Sequence, residues 1–254
     1  MPHQMQGLFP VLLVDNSNTR TKFALSVGGS LLHDGETRCM PTRGMDAPAI
    51  RELLSGWRYG SVCISSVVAD SRAAFEAAFA GRPVCWVHAA ACGPLFAGYA
   101  GAATLGADRV ANVLAAAEYG RFPVVAVDMG TAVTFDVVAC GPRFLGGIIA
   151  PGRQMMADAL HAQTSLLPPV HAAADSLHCI GGDTVEAMQA GVRAGFAGML
   201  ENAMRGIERE LGAKPFFIAT GGDSRAAVQC VPGFDVLDEH LTMRGIALAA
   251  ERAR

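Results

Sequence analysis

Alternating and continuous apolar runs in the middle of the chain predict three consecutive β-strands, at residues 124–127, 133–139 and 144–150. The first run ends at Asp128, and the glycine-containing segment 129–131 predicts a tight turn before the second strand. A Cys-Gly-Pro sequence separates the second strand from the third. The pattern therefore predicts strand, turn, strand, turn and strand, with polar side chains gathered at the first turn.

The same pattern occurs near the N-terminus. The apolar run 11–14 ends at Asp15, small polar residues occupy 16–19, and residues 22–27 predict the returning strand. The two copies begin about half a chain apart, which indicates an internal duplication. We therefore expect two similar lobes on either side of a nucleotide cleft.

The second copy places a carboxylate, a glycine and a hydroxyl group at one turn: Asp128, Gly130 and Thr131. Glycine lets backbone N–H groups approach an anion, the hydroxyl adds a donor, and the carboxylate can hold a cation that offsets phosphate charge. One such turn could equally be an ordinary turn, because Asp, Gly and Thr are frequent there. Its repetition favours a site for phosphate and a cation.

The rest of the chain alternates predicted helices and strands. The first half predicts strands at 31–39, 61–67 and 83–87 and helices at 47–56 and 72–80. The second half predicts a strand at 215–220 and helices at 152–161, 184–211 and 241–253. This order indicates an α/β chain with mixed sheets flanked by helices, and we expect lobes at 1–120 and 121–254.

Composition narrows the possible partners and environment. The chain has 254 residues, of which 51% are hydrophobic and 17% charged, so it can bury sizeable cores. Its net charge of -3 gives no electrostatic reason to expect nucleic acid or an anionic membrane as partner. No apolar run approaches the roughly 18 residues of a membrane span, and no secretory signal is recognised. Seven scattered cysteines without a CxxC pair predict thiols of a reducing cytoplasm.

A small-residue-rich loop at 89–107 ends at Asp108 and Arg109, where a helix is predicted to begin. Asp108 could cap that helix, which would stabilise it by roughly 0.5–2 kcal/mol. It could instead be a carboxylate held beside an arginine at the edge of a cleft. Spacing alone favours the cap. The histidines lack metal-ligand spacing, and neither a Walker phosphate loop nor a nucleophile elbow occurs.

Several ordered motifs resemble those of the type III pantothenate kinases, which belong to the acetate kinase/sugar kinase/Hsp70/actin superfamily. The family's motifs have counterparts along nearly the whole chain: residues 15–22 for DxGNTxxK, 106–109 for GxDR with Tyr99 before it, 128–136 for DxGTAxTxD, 146–152 for GGxIxPG, Thr164 with 167–168 for T-A-x-LP, and Thr184 in Gly-x-(Asn/Asp)-Thr.

The resemblance implies two ribonuclease-H-like (actin-like ATPase) lobes, each with a mixed five-stranded sheet flanked by helices. It implies ATP-dependent phosphorylation of the 4′-hydroxyl of pantothenate, the first step of coenzyme A biosynthesis. ATP would act with magnesium, and a monovalent cation, potassium or ammonium, would bind nearby. Family members are homodimers whose pantothenate pocket is completed across the interface. The small-residue helix at 184–200 is our candidate for that interface.

The resemblance also implies roles for individual residues. The ATP contacts would be Asp15, Asn16, Ser17, Asn18, Thr19, Arg20, Thr21, Lys22 and Thr131. The pantothenate contacts would be Tyr99, Gly106, Ala107, Asp108, Arg109 and Thr184. Asp15 would lie on the magnesium side and Asp128 would bind the monovalent cation. In this context Asp108 becomes the general base, and Arg109 can pair with the pantothenate carboxylate.

The chain departs from the family pattern at two places. Ser17 stands where the motif has glycine, and a positive φ there would strain serine by about 1 kcal/mol. The serine hydroxyl would also crowd the phosphate. Gly101 and Ala102 stand where members often carry Asn-Pro. A non-catalytic regulator related to this family is the alternative from another functional class. A sugar or acetate kinase is a third, which the short length and the Tyr99, Asp108 and Arg109 arrangement oppose.

Overall fold

A computed structural model describes residues 9–32, 36–172 and 178–253, which form two compact units. The first unit takes in the chain up to Gly120, with Val138–Leu145 and the segment from His240 onward. The second contains Arg121–Val137 and Gly146–Glu239. The lobes expected at 1–120 and 121–254 stay a prediction, and the C-terminal segment lies in the first unit.

The sheet of the first unit has the strand order β3-β2-β1-β5-β6, with β4 also paired to β2. Its strands are β1 (Val11–Asn16), β2 (Arg20–Val27), β3 (Ser30–Leu31), β4 (Arg38–Pro41), β5 (Ser61–Ser66) and β6 (Val84–Trp86). Strand β1 pairs antiparallel with β2 and parallel with β5. Because the two pairings place the ends of β1 and β5 together, polar residues that follow them lie close to one another.

The single strand predicted at 31–39 is wrong. Strand β3 pairs with Ser26 and Val27 at one end of β2, whereas β4 pairs with Arg20 to Phe23 at the other end, so two short strands replace one. Residues 33–35, in the middle of the predicted strand, lie outside the described residues. A hairpin turn precedes β3, with φ values of +56° and +77° at Gly28 and Gly29 that suit a type I′ turn.

The second unit has a five-stranded sheet in the order β11-β10-β7-β8-β9. Its strands are β7 (Val124–Met129), β8 (Ala132–Ala139), β9 (Arg143–Pro151), β10 (Phe216–Thr220) and β11 (Val236–Leu237). Each sheet begins with a hairpin, and its first strand lies beside a later parallel strand. The two sheets therefore share one connection pattern, which is what an internal duplication predicts.

Helices cover these sheets. Within the described ranges they are α1 (Ala47–Leu53), α2 (Arg72–Ala78), α3 (Ala107–Ala117), α4 (Arg153–Ala162), α5 (Thr184–Leu211), α6 (Ser224–Cys230) and α7 (Leu241–Arg252). In the first unit, Leu12, Ile64 and Phe75 belong to one buried cluster between the sheet and helices α1 and α2. In the second unit, Phe135, Leu200 and Phe217 join α5 to the sheet. None of the described helices has the length and apolar character needed to cross a membrane.

Candidate functional site

The end of β1 carries two buried polar residues, Asp15 and Asn16, whose side chains are 7% and 1% exposed. The antiparallel register places Asp15 opposite Lys22 and Asn16 opposite Thr21. The three residues between the strands form the turn, closed by a hydrogen bond of 3.2 Å from the Ser17 N–H to the Arg20 carbonyl. The predicted phosphate turn is thus a hairpin tip with a carboxylate beneath it.

A buried hydrogen-bond network supports this turn from below. Asn16 Nδ2 donates to Thr21 Oγ1 at 2.7 Å, and Ser66 Oγ donates to Asn16 Oδ1 at 2.6 Å. Thr42 Oγ1 donates to the Ser17 carbonyl at 2.7 Å and lies 2.9 Å from Thr21 Oγ1. Asn16 and Thr21 therefore hold the turn in shape, whereas Asn18, Thr19 and Arg20 are exposed on it.

The sequence analysis missed the two supporting residues Thr42 and Ser66. Ser66 ends a buried strand that runs parallel to β1, so its position beside Asn16 follows from the sheet order, which the apolar pattern alone does not provide. Thr42 follows β4, which was predicted as part of a longer strand.

The hydroxyl of Ser17 has a definite partner. Ser17 Oγ donates to Asp15 Oδ1 at 3.3 Å. The residue that replaces the motif glycine therefore engages the carboxylate that the resemblance assigns to the magnesium side. A hydroxyl bonded in this way competes with any cation for the same oxygen.

Asp108 is not the N-cap of α3. Gly106 occupies the N-cap position, so Asp108 is the second residue of the helix. Its Oδ1 accepts a hydrogen bond of 2.7 Å from the Arg109 N–H, one of the unsatisfied donors of the first turn. The carboxylate therefore does satisfy a helix-terminal donor, from a position within the helix.

Burial raises the pKa of the Asp108 carboxyl, because desolvation disfavours its charged form more than the Arg109 backbone bond and guanidinium favour it. A raised pKa makes the carboxylate a better proton acceptor. Perturbed carboxyl groups of this kind are concentrated at functional sites.

Gly106 brings the Asp108 segment close to the end of β1. A Cβ at Gly106 would lie 2.6 Å from Asp108 Oδ1 and 3.6 Å from Val67 Cγ1, so a side chain there would displace the carboxylate. Val67 in turn donates its N–H to the Asn16 carbonyl at 3.1 Å. The first unit thus connects the predicted base and the predicted phosphate turn through a short chain of direct contacts.

Phe144 contacts two further residues that were predicted to bind pantothenate, Tyr99 and Arg109. The Tyr99 ring packs edge-on against it with centroids 4.8 Å apart, and the Arg109 guanidinium lies 5.9 Å from its centroid. A Cβ at Gly101 would lie 3.0 Å from the Tyr99 ring, so a side chain there would require this ring to shift slightly. The sequence analysis missed Phe144, because its contacts with Tyr99 and Arg109 join residues that are distant in the sequence.

In the second unit, Gly152 packs directly on the turn that follows β7. The Gly152 N–H donates to the Thr131 carbonyl at 3.1 Å. A Cβ at Gly152 would lie 2.2 Å from the Gly130 carbonyl oxygen, so only glycine permits this approach. Two motifs that are separate in the sequence therefore form one structure, and Thr131 is exposed on it.

Gly221 packs against Asp128. Strand β10 pairs Thr220 with Asp128, and the following glycine has φ +92°. A Cβ at Gly221 would lie 2.5 Å from Asp128 Oδ1 and 2.6 Å from the Met129 carbonyl oxygen. Asp128 Oδ1 and the Met129 carbonyl oxygen therefore both lie next to Gly221, and oxygen atoms of this kind are the ligands that hard cations prefer.

The neighbouring Asp223 lies in the same turn. Its N–H donates to the Met129 carbonyl at 3.0 Å, and its carboxylate lies 3.7 Å from Arg153 Nη1. Burial raises the pKa of Asp223, while Arg153 lowers it. Arg153 and Asp223 therefore tie the start of α4 to the turn after β10.

Thr184 is the first residue of α5 and is exposed. The helix begins with reciprocal capping: Asp183 accepts the Glu186 N–H at 2.8 Å, and Glu186 accepts the Gly182 N–H at 2.8 Å. Thr184 is thus held at a rigid helix terminus. Across the described parts of the chain, no three acidic, histidine or cysteine side chains form a metal-binding group.

Comparison with known proteins identifies the family. The family described as "Type III pantothenate kinase" matches residues 11–206. A type III pantothenate kinase of Akkermansia muciniphila is 40% identical over 246 residues, covering 94% of this chain and 97% of the relative. That of Methylacidiphilum infernorum is 36% identical over 247 residues, covering 95% of this chain and 88% of the relative.

Solved structures share the fold. A Campylobacter jejuni protein named for the Baf family of transcriptional activators has a TM-score of 0.61 at 19% identity, covering 94% of this chain and 97% of its own. A Streptomyces griseus glucokinase of the ROK family, solved with glucose and AMPPNP, has a TM-score of 0.54 at 12% identity, covering 95% and 98%. These likenesses show the fold alone, that of the actin-like ATPases and sugar kinases. With the family match over most of its length, this chain belongs to the type III pantothenate kinases.

Proposed function

We propose that this protein transfers the γ-phosphoryl group of ATP to the 4′-hydroxyl of pantothenate, the first step of coenzyme A biosynthesis. The observation that carries the proposal is the position of Asp108. A partly buried carboxylate with a raised pKa lies in the first turn of α3, and Gly106 and Val67 connect it to the end of β1, where the phosphate turn lies. A proton acceptor and a phosphate turn on adjoining segments of one unit are the parts that phosphoryl transfer to a hydroxyl uses.

The β1–β2 hairpin would bind the ATP phosphates. Its exposed tip, residues 18–20, offers backbone N–H groups, an amide, a hydroxyl and a guanidinium, and Lys22 adds a positive charge beside Asp15. Asp15 would hold the magnesium ion that accompanies ATP. Magnesium neutralises phosphate charge when bound. Because it usually keeps several water ligands, one carboxylate oxygen from the protein can hold it.

Asp108 would accept the proton of the attacking hydroxyl. Its hydrogen bond with the Arg109 N–H fixes one oxygen, which orients the carboxylate on the first turn of α3. Because burial raises its pKa, the group is a stronger base than an exposed aspartate. Arg109 would pair with the pantothenate carboxylate, the one permanent charge of that substrate, and Phe144 would hold Arg109 and Tyr99 in place.

Asp128 would hold a potassium or ammonium ion. Its Oδ1 and the Met129 carbonyl oxygen both lie next to Gly221 and are oxygen ligands of the kind that such a cation takes. Such a cation adds positive charge near the phosphates. Thr131, exposed on the neighbouring turn, would contact ATP.

We further propose a homodimer formed through α5, with Thr184 contributing to pantothenate binding. The exposed face of α5 carries Gly191, Ala194, Gly195 and Gly198 at helical spacing, and a Cβ at each of these glycines would meet open space. A second helix can approach such a face closely. We also place the enzyme in the cytoplasm, because all seven cysteines are free thiols and its product is a coenzyme precursor.

A substrate panel tests this function. Purified protein with ATP, magnesium and potassium is offered pantothenate, glucose or acetate, and ADP release is followed against a control without acceptor. Release that depends on pantothenate alone supports the proposal. Release with glucose or acetate would indicate a different kinase, and no release from folded protein with any acceptor would favour the regulator.

A further inference from the structure

Two cysteines of the first unit lie in contact on neighbouring strands. Cys63 of β5 and Cys85 of β6 are register partners in a parallel pair, and their Sγ atoms are 3.0 Å apart. Cys63 is fully buried, whereas Cys85 is partly exposed, and both are free thiols. Neither residue has a role in the proposed phosphoryl transfer, so the pair needs its own explanation.

We propose that Cys63 and Cys85 are a dithiol that hydroperoxides convert into a reversible disulfide. Cys85 is the residue that the oxidant reaches, and Cys63 is the partner that closes the bond. The proposal is independent of the kinase function and concerns a modification site of the β5–β6 strand pair.

The strand geometry allows the bond to form without backbone rearrangement. Neighbouring strands lie about 4.8 Å apart, and disulfides bridge Cα atoms about 4.4–6.8 Å apart. The two sulfurs already touch, so small χ1 rotations are sufficient. Cys63 alternates with Val62 and Ile64, which belong to the core cluster that contains Phe75, so its side chain points to the opposite face of the sheet.

The two thiols have different reactivities. The hydrogen-bonded contact with Cys63 favours the ionised form of Cys85 and lowers its pKa, although burial acts in the opposite direction. The same contact and stronger burial raise the pKa of Cys63. A thiolate that is more accessible and more acidic, next to a protonated resolving thiol, is the usual arrangement of a redox-sensitive pair.

The chemistry balances with one hydroperoxide. The Cys85 thiolate attacks the peroxide, the O–O bond breaks, and a Cys85 sulfenic acid forms as hydroxide or an alkoxide leaves with the electron pair. Cys63 sulfur then attacks Cys85 sulfur, the S–S bond forms, and the S–O bond breaks. The Cys63 proton joins the departing oxygen as water. The two sulfurs lose two electrons in total, and the peroxide gains them.

Other cysteines provide internal comparisons. Cys92 is buried, and burial raises the pKa of its thiol, so it should react slowly. Cys39, Cys140, Cys179 and Cys230 are exposed. If exposure alone determined oxidation, these four would react before the pair.

The test treats the full-length protein with equimolar hydrogen peroxide, blocks remaining thiols by alkylation and maps peptides by mass spectrometry. We expect one peptide pair linked through Cys63 and Cys85 in most molecules, lost on reduction with dithiothreitol. Cys230→Ser, the exposed control, should leave this yield unchanged. Cys85→Ser should abolish the link and leave Cys63 alkylated as a free thiol after denaturation.

Cys63→Ala should leave the Cys85 sulfenic acid for capture by dimedone, with several-fold more adduct than in the unsubstituted protein. Recovery of unlinked Cys63 and Cys85 at a peroxide dose that oxidises the exposed cysteines would overturn the proposal. The Cys85→Ser variant keeps the test decisive if Cys63→Ala fails to fold, because Cys85 lies at the partly exposed side of the pair.

Discussion

Asp108 is a residue at which stability and the proposed function make opposite demands. Proton acceptance requires a carboxylate, but burial desolvates the Asp108 carboxylate and raises its pKa. The Arg109 N–H offsets part of this cost, and Gly106 leaves room for the carboxylate. A carboxylate kept in an environment that disfavours its charge is typical of a group retained for chemistry.

Asp108→Asn should therefore lower the rate of pantothenate phosphorylation by roughly 10²–10⁴-fold, the usual contribution of a general base. Steady-state ADP release measures this effect. Asp70→Asn is the matched control, because Asp70 is an exposed carboxylate in a helical first turn. A rate within a few-fold of the unsubstituted enzyme would remove Asp108 from the base role.

The same substitution should stabilise the folded protein at neutral pH. The folded-state pKa of Asp108 is raised, so ionisation costs stability as pH rises through that pKa, and the cost is then constant at higher pH. In acid both folded and unfolded states are protonated and the advantage of Asn disappears. Urea unfolding at several pH values measures the difference, and a destabilised variant at neutral pH would contradict the desolvation argument.

Ser17 gives a second prediction at this scale. Its hydroxyl bonds Asp15 Oδ1, so Ser17→Gly should release that oxygen for the cation and lower the KM for ATP several-fold, with little change in kcat. Ser17→Ala separates the two possible causes, because it removes the hydroxyl and retains a side chain. Equal improvement in both variants identifies the hydroxyl as the cause, and improvement in Gly alone identifies the backbone. An unchanged KM in both would show that this hydrogen bond does not limit ATP binding.

At the scale of elements, the turns of the second unit pack against one another at glycine positions, where no side chain separates them. Gly152 lies on the turn after β7, and Gly221 lies against Asp128 at the end of β10. The two contacts assemble one turn from three segments that are distant in the sequence. A methyl group at Gly152 or Gly221 would therefore push these packed segments apart.

Gly221→Ala should weaken activation by potassium. The new Cβ would lie 2.5 Å from Asp128 Oδ1, and the residue would keep a positive φ that costs alanine about 1–2 kcal/mol. We expect a loss of most of the rate difference between potassium and sodium. Gly222→Ala is the control, because open space surrounds that position. Retained potassium dependence in Gly221→Ala would place the cation elsewhere.

Local patterns predicted some elements and could not predict others. The three central strands were predicted within about two residues of β7, β8 and β9, since alternation and turn residues act locally. The prediction of a single strand at 31–39 was wrong because β3 and β4 pair with opposite ends of β2. Phe144 and Ser66 were missed because their roles come from contacts with distant segments, which periodicity does not record.

At the scale of the whole molecule, one connection pattern occurs in both sheets. Each copy puts an aspartate at the end of the first strand, Asp15 in one and Asp128 in the other, followed by a polar turn. The duplicated turns have different surroundings. A serine hydroxyl bonds the first carboxylate, whereas Gly221 packs tightly against the second. The two proposed cation sites therefore have different surroundings.

The proposed homodimer gives a prediction for α5. Gly195→Glu should place a charged side chain on the exposed small-residue face and convert dimers to monomers, with a large loss of pantothenate phosphorylation. Light scattering after gel filtration measures the mass. Arg209→Glu, a charge reversal at the far end of the same helix, should remain dimeric. A dimer with full activity in Gly195→Glu would exclude this face as the interface.

The most direct test of the central claim is phosphorus NMR of the reaction of the purified protein with ATP, magnesium, potassium and pantothenate. The account predicts that the γ-phosphate signal declines while a phosphate monoester of the 4′-hydroxyl grows in equal amount, and that omission of pantothenate stops both changes. If folded protein yields no such ester, and Ser17→Gly yields none either, the proposed kinase function is contradicted.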